Sequence, residues 1–535
     1  MTAMLLLSLV ALAGSPAGEV SVVREQPVRA HLAFLADDLL EGRGTGQRGG
    51  ELTVKYLETQ LRALGLQPAA GGGFLQRVDV LGVRLLAERS RLAFRHNDGE
   101  YSPALLDEIV FGAGNGLPDN AIDVPVVFAG FGIEAPAERW DDFKDTDVRG
   151  KLLVVLANEP PPTGDEPRRF DGESLTLAGR WTTKFEEAAR RGAAGVLLVH
   201  TDASATYGWS VVRNGFEGEK FQLVDGPRLT PLQGWLREEA ARRLVALAGH
   251  DLDELRGRAL RRDFRPVELG LRATGRLVSA VRRFPQHNVA GLVEGTDPSL
   301  RGELVIYSAH WDHLGIQDGK IYNGAVDNAS ACATLLAMAE AAVTHPARRS
   351  QMFLFTCCEE QGLLGAAAYV RSPLWPLAHT VADLNLESLN WVGPARDIEF
   401  LGGERSDLQE LGQRAARAMG MTLRLPEPDP QGLYFRSDHF PFARAGVPAL
   451  SPGFSLAGQR EYAEDADASR AKARGFLERY HRENDDFDPA WDLRGMVQQG
   501  QFILNLGRLI ADSPTRPQWQ PVPVAAPTTE GTARP

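Results

Sequence analysis

Short apolar runs alternate with helical ones along the second half of this chain, and that alternation limits the folds open to it. GELVIYSAH (302–310), QMFLFTCC (351–358) and VADLNLESL (381–389) read as strands. ASACATLLAMAEAAVTH (329–345) and DLQELGQRAARAMG (407–420) read as helices, and VPALSPG (447–453) as a further short strand. Strands and helices in this order predict a mostly parallel mixed sheet flanked by helices, an α/β fold. In such sheets ligands collect at the carboxyl ends of the strands. The first strand runs into His310, Trp311, Asp312 and His313, and the second into Glu359 and Glu360. Glu387 lies in the third, while Asp327 (NGAVDNAS) and His439 (RSDHFPF) open helical segments.

Each of these residues alone has an ordinary structural reading; Asp327, for instance, is a good helix N-cap. Glu359 and Glu360 are different, because they end an apolar strand and precede Gly362. Two carboxylates in a buried place are costly unless paired or metal-bound. Their company at one sheet edge points to a metal site. Imidazoles and carboxylates without thiolate suit zinc, with cobalt or manganese as alternatives. Two ligand sets sharing a bridging carboxylate would hold ions roughly 3.5–4 Å apart with a hydroxide between them, and a carboxylate outside the ligand set could then act as general base.

These motifs resemble the M28 family of zinc-dependent exopeptidases, aminopeptidase type. The resemblance rests on SAHWDHLG, NGAVDNAS, FTCCEEQGLLGA, LNLESLNWVGPARD and RSDHFPFARAGVPAL. It implies a zinc-exopeptidase (phosphorylase/hydrolase-like) fold and two Zn2+ per chain. It implies that His310 binds one zinc, Asp327 bridges both, and Glu360 and His439 bind the second. Glu359 would be the general base and Asp312 the carboxylate that orients His310. The remaining ligand is usually Asp; here that position is Glu387, one methylene longer. His481, in RYHRENDD, matches a family segment near the site without being assigned as a ligand. Tyr434 is a candidate donor to the reacting carbonyl or an ordinary loop aromatic.

The rest of the chain fits the same resemblance. Residues 4–13 (MLLLSLVALA) are too short to span a bilayer and precede a small-x-small step at Ala11-Leu12-Ala13, which reads as an export signal over residues 1–18. Residues 19–115 form the first part of the peptidase domain, with helices at 28–43 and 49–66, Gly65 as a C-cap, and a strand at 74–85. A smaller module over residues 116–262 carries strands at 124–133, 150–157 and 193–200 and resembles an inserted, β-rich α/β protease-associated (PA) domain; the likeness places Arg180 and Trp181 at the cleft. Residues 263–512 form the catalytic part, and the Pro-rich residues 513–535 read as a disordered tail.

At 535 residues the chain is long enough for about three domains. Its net charge of −12 disfavours nucleic acid. Its 3 cysteines cannot make a disulfide scaffold, and Cys332, Cys357 and Cys358 read as small buried hydrophobes. The resemblance thus implies an exported, periplasmic or secreted peptidase without stable membrane insertion, acting on peptides with a free N-terminus. A carboxypeptidase of the same fold is the first alternative, with Arg180, Arg396 or Arg436 to receive a substrate carboxylate. Glutaminyl cyclisation is a lesser alternative, and a non-catalytic binding protein is the alternative from another class.

Overall fold

The computed structural model describes residues 21–205, 207–425, 427–452 and 460–520. The apolar run 4–13 and residues 521–535 lie outside them. The chain opens with α1 (Glu25–Leu35) and α2 (Arg48–Ala63), which bury Val28, Leu32 and Leu35, and Val54, Leu57 and Leu61, at helical spacing. Gly65 ends α2 as expected: at φ 83° it lets the Leu66 amide donate to the Leu61 carbonyl, a bond of 3.1 Å. β1 (Leu75–Leu85) follows.

A smaller α/β module comes next. Its elements are β2 (Arg91–His96), β3 (Ile109–Gly112), β4 (Asp119–Phe128), β5 (Leu152–Leu156), α3 (Trp181–Arg190), β6 (Gly195–His200), β7 (Leu232–Arg237), α4 (Glu238–Leu247) and α5 (Leu252–Ala259). β4, β5, β6 and β7 run parallel in that order, with β3 antiparallel at the edge. Side chains alternate across a strand, so Leu152, Val154 and Leu156 of β5 enter one core while Leu153 and Val155 enter the other. Because β3 pairs with β7, the boundary expected at 115/116 falls inside this sheet.

β8 (Val267–Val293) joins the two halves. Its first part pairs with β2 and β4, residues 279–289 pair with β1, and residues 289–293 pair with β10. The catalytic half contains β9 (Leu304–His310), α6 (Ser330–Thr344), β10 (Ser350–Thr356), α7 (Leu364–Arg371), β11 (Thr380–Asn385), α8 (Leu408–Ala418), α9 (His439–Arg444), β12 (Ala449–Pro452), α10 (Ala466–Gly475) and α11 (Arg494–Ala511). The sheet order is β12, β11, β9, β10, β8, and all neighbours are parallel except β10 and β8. β9, β10 and β11 are buried throughout, as strands covered on both faces must be. α6 is apolar all round and buried nearly all round. It packs with α1 and α11 against Tyr307, Phe353 and Leu384, while Ile306, Met352 and Leu354 meet Tyr369 of α7 and Phe442 of α9 on the opposite face.

The tail departs from expectation. Residues 513–520 lie against the catalytic half. Arg516 pairs with Glu303 at 2.7 Å, the Trp519 indole donates to the Gly446 carbonyl at 2.9 Å, and the Gln520 amide donates to the Arg405 carbonyl at 2.8 Å. Composition favours disorder there, but three specific anchors override it. Among the described residues no helix is long and apolar enough to cross a membrane.

Candidate metal centre

Parallel strands deliver their carboxyl ends to one edge, and here the register fixes the arrangement. His310, the last residue of β9, is level with Thr356 of β10, and Ser308 is level with Asn385 of β11. The turn after β10 then presents Glu359 and Glu360, and the turn after β11 presents Glu387. Asp327 comes from the segment before α6. Three sets of bonds hold that segment in place. The Asp485 carboxylate accepts from the amides of Val326 and Asp327, each at 3.1 Å. The Asn328 side chain bonds the backbone of Leu386 and Ser388 on either side of Glu387. Arg43, wholly buried, donates to the carbonyls of Leu35 (2.5 Å), Asn323 (2.6 Å), Trp311 (2.9 Å) and Gly324 (2.9 Å). Gly324 is required by close approach: a Cβ there would lie 2.0 Å from the Asp327 carbonyl oxygen and 2.5 Å from the His313 ring.

The outcome is a pair of adjoining ligand clusters, one of His310, Glu359 and Glu387 and one of His313, Asp327 and Glu360; within each, the ligand atoms lie within 4.8 Å of one another. In the first, His310 Nε2 stands 3.0 Å from Glu387 Oε1 and 3.9 Å from Glu359 Oε2. In the second, His313 Nδ1 stands 2.6 Å from Glu360 Oε1. Asp327 faces both clusters. Its Oδ1 is 3.4 Å from His310 Nε2, and its Oδ2 is 3.2 Å from Nε2 of His481. That same His481 nitrogen is 3.2 Å from Glu360 Oε2.

The structure therefore brings together His310, Asp327, Glu359, Glu360 and Glu387, and it leaves His439, expected to bind the second zinc, apart from them. That ring stands in neither cluster. It opens α9 with its centroid 5.0 Å from that of Tyr434, which in turn lies under the Arg405 guanidinium. Burial and the Arg405 charge lower His439 to about 3, so it is a neutral imidazole inside the protein. The position expected of it is taken by His481, on the turn after α10 and only 35% exposed. The one sequence signal for His481 was its family segment. His313, next to Asp312 in the motif, also went unassigned. Asp312 orients His310 through its backbone: His310 Nδ1 bonds the Asp312 carbonyl at 3.0 Å, while the carboxylate is 4.0 Å away and accepts the Glu359 amide at 3.0 Å. Tyr434 is buried against Arg405 and His439. Cys332, Cys357 and Cys358 are free and buried, as expected.

The electrostatics test whether cations fit. Burial works to lower His310, yet the Glu387 and Glu359 carboxylates raise it well above its ordinary value. Burial together with Glu387, Glu360 and Asp438 holds the Glu359 carboxyl well above its usual range, and burial pushes Asp312 up to about 7. Burial would also raise Asp327 and Glu360, but the imidazoles around them prevail, holding Asp327 well below its ordinary value and Glu360 at about 2. Asp312, Asp327, Glu359, Glu360, Glu387, Asp438 and Asp485 are thus crowded around three imidazoles and Arg43. That carboxylate surplus, with nitrogen and oxygen donors only, fits a pair of divalent cations.

Comparison with known proteins bears on the same residues. The sequence model of peptidase family M28 matches residues 288–506. No curated protein sequence matches the chain. Among solved structures, the aminopeptidase from Aneurinibacillus sp. strain AM-1 is 17% identical and has a TM-score of 0.52, with 94% of this chain and 97% of that chain covered. The zinc aminopeptidase BSAP from Bacillus subtilis is 16% identical over 93% and 98% of the two chains, with a TM-score of 0.46. The peptidase M28 precursor from Shewanella amazonensis SB2B is 17% identical over 94% and 98%, with a TM-score of 0.44. At such identities the first of these likenesses speaks for the fold. The family match speaks for the chemistry, since every residue of both clusters, and His481 as well, falls within the matched stretch: residues 288–506 match peptidase family M28 and carry the whole of the candidate metal centre.

Proposed function

We propose that the chain is an exported aminopeptidase that holds two zinc ions and removes residues from the free N-terminus of peptides. The observation that carries this reading is the placement of Asp327, whose two carboxylate oxygens face different clusters. On this reading His310 and Glu387 hold one ion, Glu360 and His481 hold the other with His313 beside them, and Asp327 is shared. Zinc bound there would polarise the substrate carbonyl and acidify water. The protein's own part is positioning and proton transfer. Glu359 has its backbone fixed by Asp312, and its side chain is only 10% exposed. It is the carboxylate placed to take a proton from water and return it to the leaving amine. The carboxylate-rich site also suits the positive α-amine of a peptide N-terminus. Export rests on the apolar run 4–13, and the likeness of the inserted module to a PA domain belongs to the same proposal.

One observation favours carboxypeptidase action as the second reading. Arg180 at the start of α3 and Arg436, whose neighbour Ser437 donates to Glu387 Oε2 at 2.7 Å, line a cavity of about 30 Å3 with Trp181, Tyr207 and Trp235. Among the described residues neither guanidinium forms an ion pair, and burial together with Arg436 lowers Arg180 to about 10. Such a pocket suits a carboxylate. A panel of aminoacyl chromogenic amides, run beside N-blocked peptides with free C-termini, decides between the readings. Aminopeptidase action is expected to release product only from free N-termini and to stop with chelator. Release from N-blocked peptides alone would overturn it in favour of the second reading.

A further inference from the structure

The ligand position that departs from its family carries its own support. Glu387 Oε1 faces His310, but Oε2 accepts a hydrogen bond from Ser437 Oγ at 2.7 Å. Ser437 is not free to turn away, because its oxygen accepts from Asn385 Nδ2 at 2.6 Å. Asn385 also donates to Ser451 Oγ at 3.3 Å, and its Oδ1 lies 3.2 Å from Ser308 Oγ. Asn385 and Ser308 are fully buried, and Ser437 and Ser451 nearly so. This wall of polar groups therefore has no solvent to reorganise into. Asn385 and Glu387 share a face of the strand end, since side chains two apart point the same way. A glutamate has one more rotatable bond than an aspartate, so its carboxylate needs an outside restraint to present one oxygen in one place. A buried hydrogen bond that cannot be exchanged for one to water restrains the geometry of the groups it joins, and Ser437 is held in this way from both sides, by Glu387 and by Asn385.

We infer that Ser437, braced by Asn385, is a positioning residue that pins Glu387 to one orientation and so lets a glutamate serve where a shorter aspartate is usual. The inference rests on the reading of Glu387 as a metal ligand. Ser437 holds one carboxylate oxygen and leaves Oε1 as the only atom offered to a cation beside His310. Glu387 then offers a cation at that position one oxygen only, and the retention of that cation depends on a hydroxyl that never touches it.

The test reads metal, independently of peptidase activity. Purified full-length variants loaded with zinc are titrated with a competing chelator, and their zinc content is measured by elemental analysis. Ser437→Ala is expected to weaken retention of one zinc equivalent by about 10–100-fold, the usual cost of losing a group that orients a ligand, and to leave the other unchanged. Ser451→Ala removes a hydroxyl of the same wall that does not touch Glu387 and is expected to retain both equivalents like wild type. In the Glu387→Asp background the shorter side chain no longer needs the brace, so adding Ser437→Ala is expected to change retention less than twofold; a double-variant cycle measures this coupling. If Ser437→Ala lowers the melting temperature, Ser437→Cys, close in shape and a far weaker donor, replaces it. Wild-type retention in both Ser437 variants would overturn the inference, as would equal loss in the Ser451 variant. Should Glu387→Ala itself retain both equivalents, the metal reading of Glu387 fails first, and the two failures are thereby told apart.

Discussion

Exchanging His481 and His439 one at a time separates two accounts of the second metal position. His481 Nε2 lies 3.2 Å from one oxygen each of Asp327 and Glu360, whereas the His439 ring packs on Tyr434. Four-ligand structural zinc sites bind with about 10–16 kcal/mol, so one ligand carries roughly 3–4 kcal/mol. At about 1.4 kcal/mol per tenfold change, His481→Ala should weaken one zinc by roughly 10²–10³-fold. The lower end is favoured because His313 already faces Glu360 at 2.6 Å and can take up part of the loss. A chelator competition with a fluorescent zinc indicator, checked by elemental analysis after dialysis, measures the change. His439→Ala should retain both zinc equivalents and show its effect as a stability loss of about 1–3 kcal/mol, the ordinary cost of emptying a buried side-chain site. If His439→Ala sheds a zinc while His481→Ala retains both, the geometric argument is wrong and the ligand assigned from sequence is restored.

Glu359→Gln should retain zinc and the fold while kcat falls by roughly 10²–10⁴-fold, since only the proton acceptor is lost; steady-state kinetics on zinc-loaded protein checks this, and a kcat above about a tenth of wild type would exclude Glu359 as the base. Asp327→Ala removes the carboxylate facing both clusters and should cost at least one zinc per chain by elemental analysis, with near-complete loss of activity; retention of both would reduce Asp327 to a helix cap. Arg43→Met leaves four buried carbonyls without their donor. Charge-assisted bonds contribute about 1.5–3 kcal/mol each and do not add fully, so denaturant unfolding should show a loss of roughly 3–5 kcal/mol, and a loss under about 1 kcal/mol would contradict the clamp.

The catalytic sheet was legible because its strands are buried on both faces and therefore continuous apolar runs, and ligands at strand ends could be read by counting past each run. Counting in this way found His310, Glu359, Glu360 and Glu387, and helix-opening Asp327 before α6, all of which the structure brings to one place. His481 was not legible by that rule. It follows no strand; it sits on a turn after α10 and reaches back because Asp485, a few residues on, is tied to the amides of Val326 and Asp327. His439 opens a helix and follows no strand either; it points into the protein, because the chain at α9 turns its first residue toward Tyr434. The sheet reaches back across the break expected at 115/116, since β3 and β2 are short strands whose partners are β7 and β8, and pairing over such separations leaves no local mark. The ordered part of the tail depends on single contacts of Arg516 and Trp519, which composition cannot reveal.

The 27 residues of β8 make up one strand, whose register on β4 shifts once, at a bulge between Glu268 and Arg272 where Gly270 takes φ 67°. At ~3.3 Å per residue it is about 90 Å of backbone, laddered first to the inserted module, then to β1, then to the catalytic strands. Such a member acts as a beam and not as a hinge. Swinging the module away from the metal clusters would mean breaking backbone hydrogen bonds in mid-strand, far costlier than flexing a linker. The beam also carries information in its parity. From Arg272 onward the register is continuous, and adding or deleting a single residue there would turn every side chain beyond that point to the opposite face of its sheet, so the cores of the module and of the C-terminal half are phase-locked through that part of the strand and can drift in length only by two residues at a time.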